Sequence, residues 1–170
     1  MVAENFKKSL GFVLQSEGGN DDDPADHGGR TSRGITQREY TAWLSEQALP
    51  DKDVWMATNN DISSIYHDEY WMPYCDNFPG GIDYLYFDMA VNAGPHRAAV
   101  LLQRALGVAD DGRIGPVTRE AVISADAKTI IETYSQKKRD FYISLHQQRF
   151  LKGWLNRVNS VQENALTMIG

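Results

Sequence analysis

Five glycines, a proline and four aspartates crowd residues 18 to 34, and no regular helix survives such a run. Whatever fold the chain adopts must carry an irregular loop near its start, with regular elements on either side. Upstream, Phe6, Leu10 and Val13 recur at helical spacing, and Glu17 continues their stripe. A first helix is therefore predicted over about 4–17, with Gly18 and Gly19 ending it in left-handed geometry. Downstream, Thr36-Gln-Arg-Glu39 has the capping-box pattern and opens a helix carrying Tyr40, Trp43 and Leu44. Within the loop, Arg30 to Ile35 is the place for a short, distorted hairpin.

The rest of the chain reads as helical. One helix is expected from about Asn60-Asp61 through Ile62, Ile65, Tyr66, Tyr70 and Trp71. Tyr66, Tyr70 and Tyr74 would share a face if it ran past Pro73, either as core or as a wall on which sugar rings stack. Ile82 to Val91 is nearly continuous apolar and long enough for a buried helix. Asp88 interrupts it and needs partners or a function there; structural pairing, with Arg97 or a loop amide as candidates, is expected ahead of catalysis. Pro95 suits the first turn of a helix that Gly107 closes, and Pro116 starts a short helix to about Ser124. A long helix is predicted from Asp126 to near Lys152-Gly153. A last one carries Trp154, Val158, Val161, Ala165 and Met168.

At 170 residues the chain suits one domain, or one with a small subdomain. A formal net charge of −6 without a basic stripe argues against a nucleic-acid partner. No segment is apolar over a length that would insert stably in a membrane. The N-terminus reads as an amphipathic helix, not as a signal peptide. Cys75 is alone, so no intramolecular disulfide is expected. His27, His67, His96 and His146 fall in no metal-ligand spacing, and neither a metal nor a cofactor is expected.

The chemistry concentrates in the glycine-rich loop. Glu17, in the last turn of its helix and on the inward side, faces the negative end of the helix dipole and an apolar surround. Both disfavour its ionised form. A carboxylic acid held in its protonated form is what cleavage of a glycosidic bond needs at the leaving oxygen. Such enzymes use two carboxyl groups, roughly 5 to 9.5 Å apart according to mechanism. Asp26, nine residues on, is the best second candidate, with Thr31 placed to hold a water or to satisfy a turn amide. Asp21, Asp22 and Asp23 read as a solvated acidic run, with calcium binding as the weaker alternative.

The sequence Glu17-Gly-Gly, followed by Asp-Pro-Ala-Asp26-x-Gly-Gly-x-Thr31-x-x-Gly34-Ile35-Thr36-x-x-x-Tyr40, resembles the N-terminal signature of glycoside hydrolase family 108. The resemblance continues through Ile65-Tyr66-x-x-x-Tyr70-Trp71 and Phe87-Asp88-x-Ala90-Val91-Asn92-x-Gly94-Pro95. It then reaches Leu102-Gln103-x-Ala105-Leu106-Gly107 and Asp111-Gly112-x-Ile114-Gly115-Pro116-x-Thr118, which look like the family's peptidoglycan-binding-type region. Gly153-Trp154-Leu155-Asn156-Arg157-Val158 extends it nearly to the end.

That family contains N-acetylmuramidases used as phage endolysins and muramidases associated with bacterial secretion. The resemblance implies a mainly α, lysozyme-like fold with a short irregular loop or hairpin. It implies a muramidase catalytic region over 1–92 and a helical peptidoglycan-binding-type region over 93–170, packed into one compact domain. The family's acid maps to Glu17. The order Glu, Asp, Thr also resembles small phage lysozymes, which puts Asp26 and Thr31 in the water-positioning places. Tyr66, Tyr70 and Asn92 are expected to line the saccharide groove.

The expected function is cleavage of the β-1,4 bond between N-acetylmuramic acid and N-acetylglucosamine. The expected partner is bacterial peptidoglycan and the expected state a monomer. Such an endolysin accumulates in the cytoplasm and reaches the wall in the periplasm through a holin or another export system. Three other readings stay open: a non-catalytic peptidoglycan-binding or scaffolding protein, a lytic transglycosylase, and a chitinase.

Overall fold

The computed structural model describes residues 2–22, 29–72 and 74–170, with side chains from residue 4 onward. Their contacts divide the chain into two compact units, one of residues 6–70 and the other of residues 1–5 with 71–170.

Helix α1 (Val2–Glu17), part of the first unit from Phe6 onward, buries Leu10 and Val13 and ends at Gly18, whose φ of 71° is the left-handed stop expected of it. Three two-residue strands follow: β1 (Asn20–Asp21), β2 (Thr31–Ser32) and β3 (Ile35–Thr36). They pair antiparallel in that order, with Asn20 opposite Ser32 and Thr31 opposite Thr36. The turn between β2 and β3 is Arg33-Gly34, with φ of 49° and 83°. Two positive φ values in a two-residue loop match the twist of the flanking strands. Arg33 is held in this unusual conformation by its guanidinium, which donates to Asn59 Oδ1 at 2.5 Å and to the Ala57 carbonyl at 2.6 Å.

Helix α2 (Gln37–Glu46) starts with the expected capping box: Thr36 accepts from the Glu39 amide, and Glu39 accepts from the Thr36 amide. It buries Tyr40, Trp43 and Leu44. Helix α3 (Asn59–Tyr66) has a second capping box, Thr58 with Asp61, which the sequence reading passed over. It buries Ile62, Ile65 and Tyr66 and continues as one π-helical turn over His67–Trp71. Asp61 also accepts from the Tyr40 hydroxyl at 2.8 Å. Burial pushes the Asp61 carboxyl up, but the hydrogen bonds from Tyr40 and Thr58 and the charge of Lys52 outweigh it and hold it below the usual range. Burial and the same Asp61 push the Tyr40 phenol up to about 12.

The second unit is built around α4 (Ile82–Ala93), buried from Ile82 to Ala90. It packs against α5 (Pro95–Leu106), α7 (Ala127–Ser144) and α8 (Gln148–Leu166), and α6 (Pro116–Ser124) packs on α5. Pro95 and Gly107 bound α5 as expected, Gly107 in left-handed geometry. Between α5 and α6, Gln103 is buried and ties the loop. Its amide donates to Asp111, to the Arg113 carbonyl and to Thr118, and its oxygen accepts from the Gly112 amide.

Two expectations need correction in this unit. Asp88 is paired, as expected, but among the described residues with neither Arg97 nor a loop amide: Lys138 Nζ lies 3.1 Å from Oδ2, and Arg157 donates to Oδ1 from Nε at 3.1 Å and from Nη2 at 3.0 Å. The partners come from α7 and α8, which reach α4 where α5 does not. Lys138 is 1% exposed. Burial pulls its ammonium pKa down, and the Asp88 carboxylate opposes that. Nor does one helix run from Asp126 to Gly153. It stops at Ser144, the chain turns at His146 with φ of 53°, and Gly153 lies inside α8. The packing of α7 on α8 outweighs the roughly 1 kcal/mol that a glycine costs in a helix.

The architecture is mainly α with one small antiparallel sheet near the N-terminus, and it is lysozyme-like. The boundary between the units falls at Tyr70/Trp71, so residues 71–92 of the expected catalytic region build the second unit. Among the described residues, no helix is long and apolar enough to cross a membrane.

Candidate active site

Glu17 closes α1, half-buried, on the face that Leu10 and Val13 bury. Its carboxylate lies against the β2–β3 turn. A Cβ placed on Gly34 would fall 3.0 Å from Glu17 Oε2, 3.1 Å from Glu17 Cγ and 2.5 Å from the Tyr66 hydroxyl. Both its φ and this crowding require glycine at position 34. The turn therefore brings the Glu17 carboxylate and the Tyr66 hydroxyl together across a backbone that carries no side chain.

Tyr66 is 1% exposed, so it offers the site a hydroxyl and not a ring face. That hydroxyl donates to the Arg33 carbonyl at 2.7 Å and so ties α3 to the turn. The ring of Tyr70 lies 5.8 Å from that of Tyr66, tilted by 41°. Tyr70 is half-buried and donates to Glu39 Oε1 at 2.6 Å. Burial, that hydrogen bond and the charges of Glu39, Glu69 and Glu17 push the Tyr70 phenol well above its ordinary range. Glu69 is itself pushed up, by burial and then by the charges of Glu46, Asp68 and Glu39. Two tyrosine hydroxyls and several carboxylates thus share this end of the unit.

Glu39 is the residue that sequence reasoning missed. Its capping role was legible, and Oε2 performs it, accepting from the Thr36 amide at 2.8 Å and the Thr36 hydroxyl at 2.9 Å. The free oxygen turns to Tyr70, and no local pattern announces that.

Thr31 is half-buried in β2, where its carbonyl accepts from the Trp55 indole at 3.0 Å. The Arg30 guanidinium stacks 3.6 Å over the Trp55 ring and pairs with Asp53 at 2.9 Å. Asp26 and His27 lie outside the described residues. Asn92 belongs to the second unit, at the end of α4, and its amide donates to the Tyr142 hydroxyl. Tyr74 also belongs there, its ring edge-on to Tyr86 at 6.2 Å. Of the three tyrosines read as one face, only Tyr66 and Tyr70 lie in the unit that carries Glu17. The described residues gather no group of three or more His, Cys, Asp or Glu side chains fit to hold a metal ion.

What this end of the unit offers chemically is a half-buried carboxyl on a fixed helix end, backed by a glycine turn and a buried phenol. That suits proton delivery to an oxygen.

Comparison with known proteins agrees with that chemistry. Residues 10–94 match the family model described as Glycosyl hydrolase 108, and residues 97–159 match the one described as Predicted Peptidoglycan domain. Among solved structures, "Structure of Brucella abortus SagA" is similar at 33% identity with a TM-score of 0.85, covering 98% of this chain and 96% of that one. No curated protein matches.

Proposed function

The chain belongs to the glycosyl hydrolase 108 family and is a glycoside hydrolase of peptidoglycan, and on that premise we propose that it is an N-acetylmuramidase. It cuts the β-1,4 bond between N-acetylmuramic acid and N-acetylglucosamine. The observation that carries this reading is the placement of Glu17, a carboxyl on a helix end pressed against the Gly34 turn beside the Tyr66 hydroxyl.

In this mechanism Glu17 gives its proton to the glycosidic oxygen as the bond to the sugar breaks. Asp26, with Thr31, stabilises the positive charge that develops on the sugar ring or activates the water that completes hydrolysis. Tyr66 fixes the turn against which Glu17 rests, and Tyr70, anchored by Glu39, faces the saccharide. The resemblance to phage endolysins supports phage or prophage lysis as the setting, with the protein acting on the periplasmic wall as a monomer after passage through a holin or another export route.

The test is release of soluble muropeptides from purified peptidoglycan by wild type and Glu17→Gln, with mass analysis of the fragment ends. Hydrated N-acetylmuramic acid ends from wild type alone are the expected result. Anhydro ends would make the protein a lytic transglycosylase. No fragments, with wall binding retained, would make it a binding protein. Cleavage of an N-acetylglucosamine oligosaccharide lacking the lactyl group would point to a chitinase.

A further inference from the structure

Helices α5 and α7 of the second unit pack along each other and leave an open furrow of about 330 Å³ between their exposed edges. Arg97, Leu101 and Arg104 supply one wall, at the spacing that puts three residues on one face of a helix. Lys137, Phe141 and Ser144 supply the other at the same spacing, with Asp140 beside them. The furrow is thus built by two regular, rigid rows and not by a loop.

Its chemistry is unlike that of the chain as a whole. The protein carries a formal net charge of −6, yet three cations and one carboxylate line this furrow. Leu101 is buried and forms an apolar floor. The Arg97 guanidinium lies 4.8 Å over the Phe141 ring, which fixes it at the rim. Arg104 donates from Nε to Asp110 at 2.7 Å, so one edge of its fork is engaged. Asp140 accepts from Gln136, one turn away on its own helix. Lys137 has no ion pair among the described residues. An apolar floor under an excess of positive charge fits a short peptide that carries both methyl groups and carboxylates.

We propose that this furrow binds the acidic stem peptide of peptidoglycan through its carboxylates. The proposal rests on the reading of the chain as a peptidoglycan hydrolase, and the chemistry of that polymer selects the ligand. The glycan strand of N-acetylated sugars is uncharged where the lactyl carboxyl is bound in an amide, so a cationic furrow has nothing on it to recognise. The stem peptide combines alanine methyl groups with free carboxylates, the two features the furrow's floor and rim are suited to. Residues 97–159, matched as a peptidoglycan domain, contain every side chain that lines it.

The test is calorimetric titration of the full chain carrying Glu17→Gln, at low ionic strength, with a soluble alanine–glutamate–diamino acid–alanine tetrapeptide. Parallel titrations use the same peptide with its carboxylates amidated, and inorganic phosphate. The free-carboxylate peptide is expected to bind about tenfold more tightly than the amidated one, and the double variant Arg97→Glu/Lys137→Glu to weaken it by about tenfold. The milder Arg97→Gln/Lys137→Gln pair falls between them, with an unchanged circular dichroism spectrum.

No binding at about 1 mM peptide, equal binding of the amidated peptide, unchanged binding by the charge-reversed variant, or complete competition by phosphate would each overturn the proposal. Fragment release by wild type reads the muramidase assignment separately. Peptide binding without fragment release upholds the furrow and sinks the muramidase, and fragment release without peptide binding sinks the furrow alone.

Discussion

Substituting Gly34 by alanine adds one methyl group at the point where the turn meets the site, and its cost can be worked out. At φ of 83° an alanine sits in the left-handed region, which costs about 1–2 kcal/mol for a residue with a Cβ. The new carbon falls 2.5 Å from the Tyr66 hydroxyl, which must leave the Arg33 carbonyl it binds at 2.7 Å. A hydrogen bond lost from a buried phenol adds about 1–2 kcal/mol. The sum is about 2–4 kcal/mol, which for a chain of this size lowers Tm by roughly 5–15 °C.

The decisive measurement is a double-mutant cycle with Tyr66→Phe, read by thermal unfolding under circular dichroism and by muropeptide release. Removing the hydroxyl relieves the clash, so Tyr66→Phe should cost at least about 1 kcal/mol less in the alanine background than in wild type. Glu17 is also displaced, at 3.0 Å from the added carbon, so activity should fall further than stability accounts for. Additive stability effects would refute the claim that Gly34 is required to make room for Tyr66.

Three further outcomes are expected. Asp88→Ala leaves the buried Lys138 and the Arg157 guanidinium without their carboxylate and should destabilise by about 3–5 kcal/mol in urea unfolding, whereas Asp88→Leu combined with Lys138→Met should recover much of that. Gln103→Ala removes the side chain that satisfies four groups at once. It should cost about 2–4 kcal/mol and raise hydrogen exchange at the Gly112 amide, which donates to Gln103, above all others in that loop. Asp61, held below its usual range, contributes stability that is fully present above about pH 3.8 and lost as the pH falls through its lower folded value. Asp61→Asn should flatten that acid limb in a pH series of unfolding curves, and an unchanged slope would remove Asp61 from the account.

What could be read from the sequence is what short-range chemistry determines. The Gly18 stop, the Thr36–Glu39 box, Pro95 at the start of α5 and Gly107 at its end each depend on backbone groups within four or five residues. The inward placement of Glu17 followed from the same periodicity that buries Leu10 and Val13. What escaped depends on distant chain. Glu39 meets Tyr70 across 31 residues, and Asp88 meets Lys138 and Arg157 across 50 and 69. Gly153 looked like a terminator because glycine usually is one, but the packing of α8 holds it in a helix. Of the expected aromatic face, Tyr66 and Tyr70 do lie together, Tyr70 within the π-helical turn at 67–71, and Tyr74 falls beyond that turn.

The sealed ammonium of Lys138 also makes the second unit report on its own opening. Its neighbour in sequence, Lys137, stands at the furrow rim, while Lys138 is 1% exposed against Asp88. An amine acylating reagent should modify Lys137 at once and Lys138 only during excursions that expose the core of α4, α7 and α8. Two adjacent lysines thus carry a built-in internal standard: the ratio of their labelling rates, read in one peptide cut at acidic residues, measures how often this unit unlocks.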